Sequence, residues 1–249
     1  MNDLRFALNK ADVYWMHPVE RKYENVLRKS IRQQFNHYVQ VCSPGYEEES
    51  TDVIGPMSAF KKMKEIKGWL EEKEADLLMA TALKAGIKNP GNHTIVEIGA
   101  YEGKATVLLG TVVKEFFPGV KIAAIDPHDG RLGALDQELI TVEPSLTKLR
   151  ANIESAGLQN VVEIIQAYSY DVKWETPISF LIIDGLHDYP SVARDFWHFS
   201  AFIDTGGYIA FHDYADYYPG VQAFVEELLE SKSYRKVQKA DSLIVLQKT

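Results

Sequence analysis

The sequence predicts an α/β fold built on a doubly wound, seven-stranded and mostly parallel sheet. From Thr94 onward, short β-branched runs alternate with amphipathic stretches of about ten or more residues, which is typical of right-handed crossovers between parallel strands. The last two runs, YRKVQ and SLIVLQ, are separated only by KADS. That connection is too short for a parallel crossover, so the last two strands should be antiparallel neighbours.

The elements follow one another in a regular order. The predicted parallel strands are TIVEIG, VKIAAID, VVEIIQA, ISFLIID and GGYIAFHD. Helices are predicted from about Lys104 onward and near residues 145–156, 189–202 and 221–229. Upstream, WLEEKEADLLMATALKAG has apolar residues at helical spacing, and Gly86 stands where a C-cap is expected.

The chain is divided into an N-terminal extension, residues 1–65, and one α/β domain, residues 66–249. The extension has no strand alternation, and SPGYEEESTDVIGP within it is typical of a loop. Two interpretations stay open. The extension forms helices packed on the sheet or on a second subunit of a homo-oligomer, or it forms a lid over the substrate.

Charge and composition exclude several classes of partner. With 27 basic and 35 acidic residues the net charge is −8, which disfavours nucleic acid and anionic lipid. Cys42 is the only cysteine, so no disulfide forms within the chain. The N-terminus lacks the apolar segment of a signal peptide, and no apolar run approaches the roughly 18 residues of a membrane span. We therefore expect a cytoplasmic protein without membrane partners.

The segment IVEIGAYEGKAT indicates a pocket for a small ligand that contains a ribose. Gly99 and Gly103 flank a tight turn after a strand that ends in Glu97, and the next strand stops at Asp126. The turn lacks the GxGxxG pattern that seats a pyrophosphate, so a dinucleotide is disfavoured. A carboxylate at Glu97 suits a ligand with an amino group and a positive charge, such as S-adenosylmethionine.

At these residues the chain resembles the class I methyltransferases that use S-adenosylmethionine, and the resemblance covers about residues 70–249. Their ExGxxxG motif is matched by Glu97, Gly99 and Gly103, and Thr106 stands where Ser or Thr is common. The resemblance implies a Rossmann-like methyltransferase fold. It also implies cofactor contacts, with Gly99, Ala100 and Tyr101 along the methionine, Asp126 on the ribose, and Tyr168 and Ser169 beside adenine.

A second group of polar residues follows two later strands. Asp184 ends the fourth strand, and His212 with Asp213 ends the fifth. If these strands are neighbours, their axes lie about 4.8 Å apart and the side chains converge. His187 follows Asp184 by three residues. Asp184 as a helix cap and Asp213 as a loop anchor are the structural alternatives.

The pattern IDGxHxY followed by GGxxxxHD resembles small-molecule O-methyltransferases that act on macrolide and aminocoumarin sugars. That resemblance implies a divalent cation, usually Mg²⁺, on Asp184, His212 and Asp213, with His187 as general base and Asp184 in the catalytic centre. His212 departs from the relatives, which more often have an acid there. Since Mg²⁺ prefers oxygen ligands, this departure leaves the identity of the metal open.

Two further features are predicted to shape the substrate pocket. The loop PHDGRLGALD, with Gly130, Arg131 and Gly133, either closes over the substrate or is a solvated loop. Four tyrosines near the proposed mouth suit a ring-shaped substrate, with packing or surface roles as the alternative: Tyr189, Tyr214, Tyr217 and Tyr218.

The sequence thus predicts an S-adenosylmethionine-dependent O-methyltransferase that acts on a small hydroxylated molecule, such as a sugar, a glycoside natural product or a phenol. A divalent cation is expected to assist it. Two alternatives remain, a nicotinamide-dependent oxidoreductase and a non-catalytic binding protein with the same fold.

Overall fold

The structure, a computed structural model, describes residues 56–89, 93–130 and 143–249. Residues Ala59–Thr249 form one compact unit. Most of the predicted extension, including Cys42, lies outside the described residues, as do Arg131 and Gly133 of the predicted closing loop. The roles assigned to them, and the boundary at residue 66, stay predictions.

Strands and helices alternate along the described chain. The strands are β1 Thr94–Ile98, β2 Lys121–Ile125, β3 Val162–Ile165, β4 Ile178–Ile183, β5 Ile203–Phe211, β6 Tyr234–Ala240 and β7 Leu243–Lys248. The helices are α1 Pro56–Lys64, α2 Glu72–Lys88, α3 Lys104–Phe116, α4 Leu146–Ser155, α5 Tyr189–Phe199 and α6 Pro219–Glu230. Short 3₁₀ turns occupy Ser169–Asp171 and Ser200–Phe202.

The seven strands form one sheet in the order β3-β2-β1-β4-β5-β7-β6. The first five strands are parallel, and β7 lies antiparallel between β5 and β6. This confirms the predicted fold class, including the antiparallel last pair. The insertion of β7 between β5 and β6 is a tertiary feature, because sequence proximity alone would place β6 beside β5.

Helices cover both faces of the sheet. Helix α2 packs against α3, and α5 packs against α6. Because right-handed crossovers lead outward from β1 in one direction and from β4 in the other, these two pairs lie on opposite faces. The core between sheet and helices includes the fully buried rings of Phe180, Phe196, Phe211 and Phe224. No helix in the described ranges is long and apolar enough to cross a membrane.

Element boundaries differ from the prediction at several places, most clearly in α5 and β5. Helix α5 ends at Phe199, and the predicted continuation to Phe202 is a 3₁₀ turn. Strand β5 begins at Ile203, before the glycine pair that was expected to open it. Its partner β4 starts at Ile178, which pairs with Ile203, so the neighbouring strand sets the start of β5.

Gly86 is not a C-cap, and that prediction is wrong. Helix α2 continues through Gly86 to Lys88, and Asn89 follows it as the cap. A Cβ atom on Gly86 would lie 2.5 Å from Cε2 of Phe117, far inside van der Waals contact. The glycine therefore allows close packing of α2 on the residue that follows α3.

We expect Gly86→Ala to destabilise the fold by about 1–3 kcal/mol, since the new methyl group overpacks the Phe117 ring. The free energy of unfolding measured in urea tests this. In a Phe117→Ala background the ring is gone, and Gly86→Ala should become stabilising by about 1 kcal/mol, as in an ordinary helix interior. A stabilising effect in the natural background would contradict the packing argument.

Candidate active site

The two predicted ligand-binding segments meet where the sheet reverses its strand order. Strand β1 lies between β2 and β4, so the chain leaves β1 and β4 in opposite directions. The backbone N–H of Asp184 donates to the carbonyl of Ile98 at 2.9 Å. The turn after β1 and the segment after β4 are therefore in direct contact.

The turn from Gly99 to Gly103 needs both glycines. Gly99 has φ +90°, and a Cβ there would lie 1.9 Å from the carbonyl oxygen of Asp184. Gly103 has φ +89° at the start of α3, and a Cβ would lie 2.5 Å from Cδ1 of Leu149. Tyr101 between them also has a positive φ, 47°, which is uncommon for a residue with a side chain. The turn thus leaves no room for side chains at the points of closest approach.

Glu97 lies beneath this turn and is 2% exposed. Its Oε2 accepts a hydrogen bond from the hydroxyl of Thr106 at 2.5 Å. Burial, together with the charges of Asp184 and Asp126, raises the pKa of Glu97 to about 8 despite this hydrogen bond. In the ligand-free protein the side chain is therefore protonated at neutral pH, and a bound cationic group would favour its ionised form.

Asp126, the predicted ribose ligand, organises the backbone around it. Its Oδ2 accepts from the N–H of Tyr101 at 2.9 Å, and its Oδ1 accepts from the N–H of His128 at 2.7 Å. Its side chain keeps 17% of its surface exposed. Each carboxylate oxygen accepts a hydrogen bond from a backbone N–H and still has a free lone pair. The predicted contact with ribose hydroxyls is therefore compatible with this arrangement.

The predicted adenine loop follows β3. Tyr168 donates its hydroxyl to Oδ2 of Asp129 at 2.9 Å, and its ring stacks on Tyr170 with centroids 5.3 Å apart. Ser169 is buried and donates its hydroxyl to Oδ1 of Asp195 on α5 at 2.5 Å. The Ser169 hydroxyl hydrogen is thus used within the protein, and the side chain fastens the loop to α5.

The predicted metal ligands are brought together at the ends of β4 and β5. The pairing of Ile183 with Phe211 places Asp184 beside His212. Nδ1 of His212 lies 3.0 Å from Oδ1 of Asp184 and 3.1 Å from Oδ2 of Asp213. Asp213 has φ +56°, a backbone strain that turns its side chain back toward His212. Asp188, not Asp184, caps helix α5.

Opposite charges attract one another in this group, which we call the Asp184–His212–Asp213 cluster. Burial opposes charge on His212, but the Asp184 charge and hydrogen bonds to Asp184, Asp213 and Glu74 raise the pKa of His212 well above its usual value. Burial likewise opposes ionisation of Asp184 and Asp213, yet the neighbouring histidines lower the pKa of both carboxyl groups. The ligand-free cluster is therefore an imidazolium between two carboxylates.

His187 closes the other side of the cluster. Its Nε2 lies 3.0 Å from Oδ2 of Asp213 and 3.9 Å from Oδ1 of Asp184. Its ring packs against Tyr218 with centroids 4.2 Å apart. The predicted general base thus stands beside the cluster with one nitrogen oriented by Asp213.

The four predicted mouth tyrosines divide into two pairs. Tyr218 packs on His187, and the hydroxyl of the exposed Tyr217 donates to Oδ1 of Asp213 at 3.3 Å. Tyr189 instead hydrogen-bonds Glu227 on α6. Tyr214 is partly buried against the core, with the Lys239 ammonium 5.0 Å from its ring centroid. The structure brings Tyr217 and Tyr218 to the cluster, whereas Tyr189 and Tyr214 make these other contacts.

The donor set fits a divalent cation. Asp184, His212 and Asp213 each offer one ligand atom, and these atoms lie within 4.8 Å of one another. Two carboxylates and one imidazole suit Mn²⁺ and later divalent ions as well as Mg²⁺. Asp184 and Asp213 remain partly exposed, at 33% and 16% of their side-chain surfaces, so a substrate oxygen could reach the same point.

Two buried acids of the site were missed by the sequence reasoning. Glu74 on α2 is 1% exposed and lies 3.1 Å from Nε2 of His212, and Asp195 holds Ser169. Glu74 was hidden in the run EEKEAD, which is typical of a solvated helix face. A usable signal was present, because Glu74 shares the buried stripe of Leu78 and Ala85 on α2.

Comparison with known proteins agrees with this geometry. Residues 96–214 match the model of a protein family described as a methyltransferase domain. The matched segment is just under half of the 249-residue chain and is similar to methyltransferase domains. The match spans the turn at Gly99, Asp126 and the Asp184–His212–Asp213 cluster, and it confirms the resemblance to S-adenosylmethionine-dependent methyltransferases found in the sequence.

Curated relatives of the chain include an uncharacterised protein, R132, of Acanthamoeba polyphaga mimivirus. It is 34% identical over 134 residues, which cover 50% of this chain and 52% of the relative. The chain thus aligns with about half the length of that curated relative.

Solved structures share the fold of this chain. The O-methyltransferase NovP is 17% identical with a TM-score of 0.60, covering 71% of this chain and 80% of its own. The calicheamicin methyltransferase CalS11 is 13% identical with a TM-score of 0.57, covering 87% of this chain and 91% of its own. At these identities the likeness establishes the fold.

We expect Glu97→Gln to remove a pH dependence of stability from the protein. Between its ordinary pKa of 4.5 and its folded pKa of about 8, Glu97 is ionised in the unfolded chain and protonated in the folded one. The free energy of unfolding therefore falls as pH rises through this window, by at most about 1.4 kcal/mol per pH unit. Gln keeps an acceptor for Thr106 and has no proton to lose.

Denaturant unfolding is measured from pH 5 to pH 9 for the variant and the natural protein. In the difference between their free energies of unfolding, the contributions of the other titrating groups cancel. Glu163→Gln, at an exposed position on β3, serves as the control and should leave the pH dependence unchanged. A Glu97→Gln protein that gains no relative stability as pH rises would contradict a protonated Glu97.

Proposed function

We propose that the protein is an S-adenosylmethionine-dependent O-methyltransferase that acts on a hydroxyl group of a small molecule with the help of a divalent cation. One observation carries the proposal. The backbone carbonyl of Asp184 fills the space that Gly99 leaves open, while the Asp184 side chain belongs to the Asp184–His212–Asp213 cluster. A single residue thus joins the methyl-donor turn to the group that would hold the acceptor.

The cofactor would lie across the turn after β1. Gly99, Ala100 and Tyr101 would lie along its methionine portion, and Asp126 would accept hydrogen bonds from the ribose hydroxyls. The adenine ring would lie near Tyr168, whose ring is already stacked on Tyr170. Glu97, beneath the turn, would be ionised by the positive charge of the ligand.

Asp184, His212 and Asp213 would hold the cation through two carboxylate oxygens and Nδ1 of the imidazole. When bound, a divalent cation supplies a Lewis acid that lowers the pKa of a coordinated hydroxyl. The chain's own contribution is to fix the acceptor oxygen beside the methyl-donor turn. Such alignment of reacting groups can lower the activation barrier by roughly 7 to 11 kcal/mol.

His187 would take the proton from the acceptor hydroxyl. Nε2 of His187 lies 3.0 Å from Oδ2 of Asp213. A hydrogen held on Nε2 by this carboxylate would leave Nδ1 as the basic nitrogen. The Tyr218 ring packed against His187 restricts its motion. This is the arrangement of a base with an orienting acid. The hydroxyl oxygen would form the new O–CH₃ bond as the S–CH₃ bond breaks, the proton would pass to His187, and S-adenosylhomocysteine would leave.

A small cyclic acceptor is the substrate class that the site supports. Tyr217 is 60% exposed beside Asp213, and Tyr218 lies beside His187, so two aromatic rings flank the proposed acceptor position. Sugars and phenols offer flat or apolar faces to such rings, and vicinal hydroxyls suit a shared cation. The net charge of −8 disfavours a nucleic-acid acceptor.

We expect S-adenosylhomocysteine to raise the melting temperature of the protein, since it should bind the folded state at the β1 turn. NAD should have no such effect, because the turn lacks a pyrophosphate site. The assay measures the thermal shift with S-adenosylhomocysteine and with NAD, and repeats each measurement with Mg²⁺, Mn²⁺ and EDTA. A shift with NAD alone would favour the oxidoreductase. If S-adenosylhomocysteine raises the melting temperature equally with metal and with EDTA, the cation is removed from the proposal.

We expect His187→Gln to lower kcat by about 10²- to 10⁴-fold with little change in the Kd of S-adenosylhomocysteine, since the residue would act only on the acceptor proton. His93→Gln is the matched control. His93 precedes β1 at the opposite end of the sheet, where it lies 3.6 Å from Asp204. Full activity of His187→Gln, in an assay with sugars, phenols and RNA as acceptors, would overturn the base assignment.

A further inference from the structure

A buried carboxylate stands directly behind His212. Glu74 of α2 is 1% exposed, and its Oε2 lies 3.1 Å from Nε2 of His212. Its Oε1 accepts from the backbone N–H of Ser242 at 2.9 Å and from the Ser242 hydroxyl at 2.6 Å. Its Oε2 also accepts from the N–H of Glu71 at 3.0 Å. Hydrogen bonds from three segments of the chain therefore converge on one carboxylate.

These contacts fix the position of Glu74 independently of His212. The bond from Glu71 is half of a capping box that starts α2, and Ser242 belongs to the turn between β6 and β7. His212 is also fixed, because its backbone N–H donates to Ile183 at 3.1 Å and its side chain is 5% exposed. Neither partner has room to move away from the other.

The chemistry of the pair determines which ring nitrogen of His212 keeps a hydrogen. A buried carboxylate only accepts hydrogen bonds, so the His212 nitrogen that faces it must be the donor. That nitrogen is Nε2. The other nitrogen, Nδ1, faces Asp184 and Asp213 and is the atom that can offer a lone pair to a cation there.

We propose that Glu74 is a positioning residue of the cation site, which holds the His212 ring in the tautomer with hydrogen on Nε2 so that Nδ1 is a metal ligand. The inference rests on the proposed function, since it assumes that the Asp184–His212–Asp213 cluster binds a cation. A carboxylate behind a ligating histidine also makes the imidazole a stronger ligand. Helix α2 thereby contributes to a site whose ligands all come from β4 and β5.

The first test measures Mn²⁺ binding by calorimetry on the full-length protein without substrate. Glu74→Gln should weaken Mn²⁺ binding by about 10- to 100-fold, the usual effect of losing such a partner. If the oxygen of the new Gln side chain faces Ser242, its amide N–H₂ faces Nε2 of His212. An amide donor there favours the His212 tautomer with hydrogen on Nδ1. Glu72→Gln removes the same charge from an exposed position on the same helix and should leave Mn²⁺ binding unchanged.

A double-mutant cycle separates positioning from a general structural role. In a His212→Asp background the ligand is a carboxylate, and an ionised Glu74 behind it is repulsive. Glu74→Gln should then strengthen Mn²⁺ binding, the reverse of its effect on the natural protein. A loss of the same size in both backgrounds would mean that Glu74 only supports the fold, and would overturn the proposal.

A second measurement needs no variant of Glu74. Nitrogen NMR of ¹⁵N-histidine-labelled protein with Mg²⁺, assigned with His212→Gln, should show hydrogen on Nε2 of His212 and none on Nδ1. Hydrogen on Nδ1 would overturn the proposal even if Glu74→Gln failed to fold.

The outcomes also separate this inference from the proposed function. If the natural protein binds no Mn²⁺, the proposed function is wrong about the cation, and this inference falls with it. If it binds Mn²⁺ and Glu74→Gln binds equally well, the inference alone fails.

Discussion

The pairing of β4 with β1 on one side and β5 on the other is the constraint on which the site depends. It brings the backbone of Asp184 against Gly99, and it places His212 beside Asp184. Because all three strands are parallel, their carboxyl ends meet at one edge of the sheet. The proposed methyl donor and the proposed acceptor site are therefore joined through β4 rather than through a mobile loop.

The polar groups at this edge form one electrostatic unit in which acids outnumber histidines. Three carboxylates, on Glu74, Asp184 and Asp213, surround the imidazole of His212, and His187 borders the same group. Buried charges of one sign would be costly, so the histidine offsets the acids while the cluster is free of a cation. A cation bound as proposed would take the place of the proton on Nδ1, so the choice of metal would depend on His212.

Backbone strain marks the same edge. Tyr101, His128 and Asp213 have positive φ values of 47°, 55° and 56°, and each follows the carboxyl end of a different strand. Such conformations cost free energy and persist where the surrounding structure holds them. Hydrogen bonds from the Tyr101 and His128 N–H groups to the Asp126 carboxylate, and the contacts of Asp213 with both histidines, provide that support.

The sequence by itself determined the alternation of strands and helices, the glycine turn after β1, and the polar residues after β4 and β5. These are local patterns, set by periodicity and by the conformational needs of single residues. Tertiary structure alone decided the placement of β7, the role of Gly86 against Phe117, and the position of Glu74 behind His212. In each case the partner is distant along the chain, so its effect is absent from local periodicity. The helical spacing of Glu74 with Leu78 and Ala85 indicates burial, but only the folded sheet places His212 beside it.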